Sequence, residues 1–331
     1  MGEAELASIT ARQSGCFTTA QAMAHGWTRW GVATAHASGR WRQLTKGAYV
    51  EQTVWDAMDK RARHLCEVQA ALLTRQLSWH ADRRSAVVAH GVPLLGKLPV
   101  RPQLVRQPLR ATDRSSSRHE RLTSLPDHET AVRRNLAVTS LARTVVDMAR
   151  SESFESAIVV ADAALRQGMP LEEAVGVARR CVGWPGGRRV ATVLAFADGL
   201  AESALESLSR ASMLRAGLPI PELQVEVWLH GRFLARVDAL WRSCNLVGEP
   251  DGRIKYAQVE DFYAEKRRQE GLQDAGLEVV RWDWRTASNP AALEPLLRRA
   301  MERGRRNDLH PGVRFVPTSV ADALRRQARA A

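Results

Sequence analysis

The stretch that most constrains the fold lies between Arg236 and Tyr256, where two neighbouring extended segments bring four charged side chains together: Asp238, Glu249, Asp251 and Lys255. Apolar side chains alternate from Phe233 onward, which predicts that Asp238 points away from the apolar face of its strand. Glu249 and Asp251 are two apart, so a strand places both carboxylates on one face. Three carboxylates and a lysine are costly to bury unless a cation or a phosphate neutralises them, so the stretch is either a solvated turn or a site.

The segments around this stretch show helical and strand patterns in a definite order. A helix comes first, a hairpin leads into the charged stretch, and a charged helix, a strand and a final helix follow it. The predicted elements are helix 202–215, strands 224–229, 233–241 and 245–249, helix 259–275, strand 277–284 and helix 291–302. This order is typical of the α/β core of a nuclease.

Residues 3–50 predict three short helices followed by a β-hairpin. A glycine ends each helix, Thr18 with Gln21 makes a capping box for the second, and Thr28 can cap the third. This is the plan of a winged helix-turn-helix, in which the third helix enters the major groove and the wing contacts phosphate or the minor groove. The basic residues of the wing are Arg40, Arg42 and Lys46. The alternative is a small three-helix structural module with solvated charges.

Four motifs of this segment carry a family resemblance: Gln13-Ser14-Gly15, Thr18-Thr19-Ala20-Gln21-Ala22, Ser38-Gly39-Arg40-Trp41-Arg42 and Lys46-Gly47-Ala48-Tyr49-Val50. The segment resembles the N-terminal domain of AbiEi-type antitoxins of type IV toxin–antitoxin systems. The resemblance implies that it binds operator DNA, represses its own operon and has a nucleotidyltransferase-like toxin as a partner. Arg29 and Thr34 on the third helix are the candidate base-reading residues, since the apolar face of that helix needs neither.

A central α/β region is predicted between the winged helix and the C-terminal core. It starts with one long amphipathic helix over residues 55–75. Further on, Arg143 and Asp147 are spaced as an i,i+4 pair on a helix, worth roughly 0.3 to 0.5 kcal/mol. Residues 136–147 and 159–166 resemble the central region of longer AbiEi-related proteins, a resemblance that implies no particular chemistry.

A second resemblance rests on residues of the C-terminal third of the chain: Glu206, Gln224, Asp238, Glu249-x-Asp251-Gly252, Lys255 and Gly276-x-x-Val279-Val280-Arg281. They look like the very-short-patch-repair (Vsr-like) endonuclease domain, a branch of the PD-(D/E)XK, or restriction-endonuclease-like, superfamily. The resemblance implies a Mg²⁺ site in which Asp238 bridges the metal while Glu249 and Asp251 complete its shell. It also implies that Lys255 steadies the developing phosphorane or the water, and it adds Glu206 to the catalytic set.

Two residues depart from the pattern of that family. Lys255 stands where relatives usually carry histidine, and lysine shuttles a proton less readily near neutral pH. Pro250 removes a donor from a strand that should be central, which allows the strand to end at Glu249 and would displace Asp251. The site is therefore either an intact metal-binding nuclease site or a degenerate or structural one. Whether the chain is an enzyme stays open at this point.

The charge balance favours a polyanionic partner. The 48 Lys and Arg residues exceed the 36 Asp and Glu residues, so the formal net charge is +12, and arginine binds phosphate bidentately. A high-GC coding sequence is the alternative explanation for the many arginines. The four cysteines show neither zinc-ligand spacing nor a disulfide framework, and no apolar run approaches the roughly 20 residues that span a bilayer. The sequence therefore predicts a soluble, cytoplasmic protein without a membrane partner.

The sequence predicts a multidomain α+β and α/β protein in four parts: a winged-helix DNA-binding domain at 1–54, a central α/β region at 55–198, a Vsr-like nuclease-fold domain at 199–303 and a basic tail at 304–331. The leading interpretation is a DNA-binding regulator of the antitoxin type whose C-terminal domain retains a metal-dependent phosphodiesterase site or its remnant. One alternative is an active Mg²⁺-dependent DNA endonuclease in defence or repair, targeted by the winged helix. Another is an antitoxin whose later domains bind a partner toxin without catalysis. The oligomeric state is left open.

Overall fold

The computed structural model describes residues 2–75, 78–110, 113, 119–251 and 259–318. They form a mixed α/β fold in two compact units, Met1–Phe196 and Ala197–Ala331, which confirms the predicted multidomain class. Lys255 and the end of the predicted basic tail lie outside the described residues. Among the residues that are described, no helix is long and apolar enough to cross a membrane.

Unit 1 begins with three helices and a three-stranded sheet: α1 (Gly2–Arg12), β1 (Cys16–Thr18), α2 (Thr19–Ala24), α3 (Arg29–Ala37), β2 (Trp41–Thr45) and β3 (Ala48–Glu51). The capping box predicted for α2 is confirmed, because the Gln21 backbone donates to the Thr18 hydroxyl and the Thr18 backbone donates to the Gln21 side chain. Thr28 caps α3 as predicted, accepting the Gly31 N–H at 3.0 Å. Strand β1 was not predicted; it pairs with β3, and the sheet order is β1-β3-β2.

The rest of unit 1 is a five-stranded sheet with helices before and after it. Its elements are α4 (Gln52–Ala57), α5 (Lys60–Leu73), β4 (His80–Ala81), α6 (Arg83–Ala89), β5 (Leu104–Arg106), β6 (Glu120–Leu122), β7 (Thr130–Arg133), β8 (Leu136–Thr139), α7 (Leu141–Ser151), α8 (Phe154–Arg166), α9 (Leu171–Arg180) and α10 (Gly187–Phe196). The sheet order is β6-β5-β4-β8-β7. The prediction of one long helix over residues 55–75 is wrong. Asp59 interrupts it, because its carboxylate accepts the Ala62 N–H at 2.7 Å and so starts α5 anew.

The predicted pair of Arg143 and Asp147 is present, but it is buried. The Arg143 Nε donates to Asp147 Oδ2 at 2.6 Å, and Arg121 donates to both Asp147 and Asp82. Burial raises the pKa of Asp82. Burial also acts to raise the pKa of Asp147, but hydrogen bonds and charges from Arg121 and Arg143 lower it. The surface-pair energy assumed from the sequence is therefore too small, since breaking a buried pair costs about 3–5 kcal/mol.

Unit 2 is built on a second five-stranded sheet. Its elements are α11 (Ala204–Arg215), β9 (Glu222–Leu229), β10 (Arg232–Trp241), β11 (Leu246–Pro250), α12 (Val259–Asp274), β12 (Glu278–Trp282), α13 (Trp284–Ala287), α14 (Pro290–Gly304) and β13 (Val313–Pro317). The sheet order is β12-β11-β10-β9-β13, in which β11 and β12 are parallel and the other pairs are antiparallel. The order of helix, three-stranded meander, helix and strand agrees with the order predicted from the sequence.

Two expectations about unit 2 need correction. Residues 313–317 were expected to lie in a basic tail, but they form β13, because Val313 and Phe315 pack against the apolar cluster of the sheet. Pro250 does not end its strand early. The ladder to β12 runs through Pro250, and the next residue, Asp251, donates its N–H to the Trp282 carbonyl at 2.8 Å.

Candidate DNA-binding surface and carboxylate cluster

Helix α3 buries one narrow apolar face and exposes most of its other residues. Val32 and Ala35 lie in an apolar cluster with Phe17 and Trp41, whereas Arg29 and Thr34, the predicted base-reading residues, are exposed. The Thr28 cap fixes where this helix begins. The structure thus leaves the side chains of the third helix available to a partner. Whether Arg29 and Thr34 contact bases stays a prediction.

The three basic residues predicted for the wing lie on or beside strand β2 and its turn. The Arg40 guanidinium lies 5.2 Å from the centroid of the Trp27 ring, and that of Arg42 lies 4.9 Å from the Trp55 ring. Lys46 is exposed in the turn between β2 and β3. Stacking on indole rings restricts the two arginines before any partner binds, which lowers the entropic cost of a contact.

Trp30 is the residue of α3 that sequence reasoning missed. It is 78% exposed, which is unusual for so large an apolar side chain. Its exposure could have been predicted from its position on the helix, because residue 30 lies off the face that carries Val32 and Ala35. The structure therefore leaves a flat apolar side chain of α3 open to solvent.

In unit 2, three polar side chains meet between α11, β9 and β10. The Gln224 Nε2 donates to Glu206 Oε2 at 3.1 Å and to Asp238 Oδ1 at 3.2 Å. Ser203 caps α11 and accepts the Glu206 N–H, so the first turn of that helix holds Glu206 in place. Gln224 has a φ of +51°, which interrupts the alternation of β9 beside Asp238. We call Glu206, Gln224 and Asp238 the carboxylate cluster.

The electrostatics of the carboxylate cluster disfavour negative charge. Burial, and next the charge of Glu206, raise the pKa of Asp238 to about 6, while the Gln224 hydrogen bond only partly opposes them. Gln224 is 1% exposed, and its Oε1 has no hydrogen-bond partner within the described residues. The carboxylate oxygens of Glu206 and Asp238 are the kind of ligand that hard cations prefer, whereas the Gln224 group that faces them is the amide N–H.

Glu249 has a different environment from the one predicted for a metal ligand. Its two carboxylate oxygens accept from Arg268 Nη2 at 2.6 Å and from Arg281 Nε at 2.7 Å. Glu265 also pairs with both arginines. Asp251 follows the end of β11, and Lys255 lies outside the described residues. Within the described residues, no group of three Asp, Glu, His or Cys side chains is arranged to hold a metal ion.

The helices α2 and α3 with the β2–β3 hairpin define a winged helix-turn-helix, a class of DNA-binding fold. Residues 5–52 match the family model described as "Transcriptional regulator, AbiEi antitoxin", so the predicted resemblance of the N-terminal segment is confirmed. The resemblance of unit 2 to a Vsr-like endonuclease stays a prediction.

Two curated relatives are each 36% identical to this chain over 146 residues. They are the uncharacterized proteins MT2308 and Rv2248 of Mycobacterium tuberculosis, from strains CDC 1551 / Oshkosh and H37Rv. The aligned region is 43% of this chain and 53% of each relative. The chain thus spans about half the length of the curated relatives that it matches.

Proposed function

We propose that this protein is a DNA-binding transcriptional regulator of the AbiEi antitoxin type, and that it reads DNA with α3. The observation that carries the proposal is the winged helix of residues 5–52, which coincides with the family match and exposes Arg29 and Thr34 on its third helix. In this fold the third helix enters the major groove, where arginine can bind a guanine edge bidentately.

The wing supplies contacts to DNA that do not depend on the base sequence. Arg40, Arg42 and Lys46 follow one another along β2 and its turn, so they can track a phosphate backbone. The net charge of +12 adds a general attraction to DNA. The helix therefore accounts for specificity, and the wing and the net charge account for affinity.

A gel-shift titration on the DNA upstream of the protein's own gene tests this proposal. Lys46→Ala should weaken binding to all sequences alike, whereas Arg29→Ala should cost about 1–3 kcal/mol and act mainly on the preferred sequence. Arg179→Ala is the matched control, since it removes one exposed positive charge from α9 in the same unit. The proposal would be contradicted if the protein shifted no DNA, or if Arg179→Ala weakened DNA binding as much as Lys46→Ala does.

The carboxylate cluster favours a second candidate function, a metal-dependent phosphodiesterase in unit 2. Glu206 and Asp238 would hold a Mg²⁺ ion, with water completing its shell; Glu249 fits this role poorly because both of its oxygens are in ion pairs. A bound Mg²⁺ would supply an activated water and stabilise charge on a phosphate. Around it, Gln224 would keep the two carboxylates together, and Arg268 and Arg281 would hold Glu249 beside them.

Plasmid cleavage in Mg²⁺ or Mn²⁺ tests this second function. Asp238→Ala and Glu206→Gln should abolish any cleavage by the wild type, whereas Glu222→Gln, which alters an exposed pair with Arg242, should not. Metal binding has its own readout, since Mn²⁺ should raise the melting temperature of the wild type more than that of Asp238→Ala. Absence of both cleavage and stabilisation under every metal tried would rule the function out.

A further inference from the structure

An open cleft of about 630 Å³ lies in unit 1 where the end of α1, the start of α5 and the β7–β8 turn come together. Its polar lining is mainly cationic and includes Arg12, Arg61, Arg134 and Asn135. Part of its surface is apolar and comes from Met58, Leu65 and Val88. The cleft is of the size typical of small-molecule sites, about 300–1,000 Å³.

The described lining of the cleft carries more positive than negative charge. Within the part of the chain that the structure describes, none of the three arginines pairs with a carboxylate; the Arg12 guanidinium donates to the carbonyl and hydroxyl oxygens of Ser8. Asp59 is the one carboxylate among the lining residues described, and it accepts the Ala62 N–H as the cap of α5. Three guanidinium groups and a single carboxylate leave the lining with a net positive charge, so an anion would stabilise it.

Helix α5 adds to this potential. It is 14 residues long, and its first turn, with Arg61 and Ala62, forms part of the lining. The N-terminus of a helix carries partial positive charge and unpaired N–H groups, which favour a bound phosphate. The helix end adds positive potential to that of the arginines, and the Asp59 carboxylate at the cap opposes part of it.

The turn between β7 and β8 holds Arg134 at the cleft. Arg134 and Asn135 have φ values of +52° and +61°, which is the region that such two-residue turns require and that favours Asn or Gly over Arg. The Asn135 side chain donates to the Arg12 carbonyl at 3.0 Å and so fastens the turn to the end of α1. An arginine thus occupies a position that its backbone conformation disfavours, in the lining that it shares with Arg12 and Arg61.

We propose that this cleft binds a small organic phosphate, with the phosphate among Arg12, Arg61 and Arg134 and the apolar body against Met58, Leu65 and Val88. The guanidinium groups select a phosphate because their planar forks donate two hydrogen bonds at a time. The apolar surface selects a ligand with a body of nucleoside size over the free ion. This site goes beyond the proposed DNA-binding function and uses neither α3 nor the wing.

Isothermal titration of the full-length protein at low ionic strength tests the proposal, with AMP, inorganic pyrophosphate and adenosine as probes. AMP should bind at one site, pyrophosphate should compete with it, and adenosine should not bind. Arg61→Ala and Arg134→Gly should each weaken AMP binding about tenfold. Glycine is chosen at residue 134 because it suits the positive φ. Unchanged melting temperatures would show that both variants are folded.

Arg133→Ala is the matched control, because Arg133 is exposed on the same hairpin but does not line the cleft. Equal loss of AMP binding in Arg133→Ala would show a general charge effect and overturn the proposal. No saturable binding of AMP or pyrophosphate would also overturn it, as would displacement of AMP by duplex DNA, which would make the DNA backbone the occupant. Duplex DNA enters only as a competitor after AMP has bound, so a failure of AMP itself to bind would leave the proposed DNA binding untouched.

Discussion

Asp238 and Glu249 show how differently two neighbouring carboxylates can be held. The ladder between β10 and β11 ends at the pair of Ala239 and Gly248, and Asp238 and Glu249 are the residues next to that pair, close enough that the charge of Glu249 acts on the pKa of Asp238. Glu249 receives two guanidinium groups, whereas Asp238 receives one amide and lies near other acids. A negative charge on Glu249 should therefore stabilise the fold, and a negative charge on Asp238 should destabilise it.

The first prediction concerns Asp238→Asn. The pKa of Asp238 rises from 3.8 to about 6 on folding, so its ionisation costs stability as the pH rises through that range. We expect Asp238→Asn to raise the free energy of unfolding at pH 7 by about 1–2 kcal/mol, with the gain vanishing at about pH 4. Urea denaturation at both pH values, without metal, measures this. A variant less stable than the wild type at pH 7 would show that the folded protein favours the ionised carboxylate.

The second prediction has the opposite sign. Glu249→Gln leaves Glu265 as the acidic partner of Arg268 and Arg281 among the described residues, so the free energy of unfolding should fall by about 1–3 kcal/mol. Glu270→Gln on α12 is the control, because its exposed pair with Lys266 spans 3.8 Å and contributes little. The same denaturation experiment applies at pH 7. If the two substitutions lowered the free energy of unfolding equally, the ion pairs of Glu249 with Arg268 and Arg281 would contribute no more than an exposed pair.

At the scale of elements, close packing at Gly248 governs how α11, β11 and β12 meet. A Cβ atom there would lie 2.7 Å from Trp282 and 2.8 Å from Trp241. The Trp282 Nε1 donates to Ser209 of α11 at 2.7 Å, so this ring cannot move freely. The strand therefore requires glycine for space and not for an unusual φ.

The third prediction follows from that contact. Gly248→Ala should lower the free energy of unfolding by about 1–3 kcal/mol, because the ring must shift to admit the methyl group. Gly271→Ala in α12 is the matched control: its Cβ would meet only Leu234 at 3.6 Å, and alanine should gain about 0.5–1 kcal/mol of helix propensity. Thermal unfolding of both variants gives the comparison. If both substitutions changed the melting temperature in the same direction, this account of the packing would be contradicted.

At the scale of the whole molecule, the net charge of +12 should make DNA binding depend strongly on salt. If the four basic residues Arg29, Arg40, Arg42 and Lys46 each neutralise one phosphate, the slope of log K against log salt is about −3.6. The fourth prediction is a loss of about a hundredfold in affinity between 50 and 200 mM salt, measured by gel shift or anisotropy. Lys46→Ala should reduce the slope by about one, and a slope near zero would exclude a phosphate-contacting wing.

The sequence by itself determined those parts of the protein that depend on residues close together in the chain. Thr18, Gln21 and Thr28 cap their helices as predicted, because a cap involves only the next three residues. The order of elements in unit 2 was also readable, since periodicity is a local property. The break before α5 was missed because the cap of Asp59 competed with a helical pattern that continued through it.

Only the tertiary structure decided what the charged residues do. Arg281 lies 32 positions from Glu249, and Arg134 meets the end of α1 across more than a hundred residues, as the bond between Asn135 and Arg12 shows. Strand β13 depends likewise on a distant partner, β9. A carboxylate or a guanidinium group has the same formal charge wherever it lies; its pKa, its counter-ion and its exposure come from the groups that folding places beside it. For that reason the predicted metal ligand Glu249 is held by two arginines, and the basic cleft of unit 1 could not be predicted from spacing.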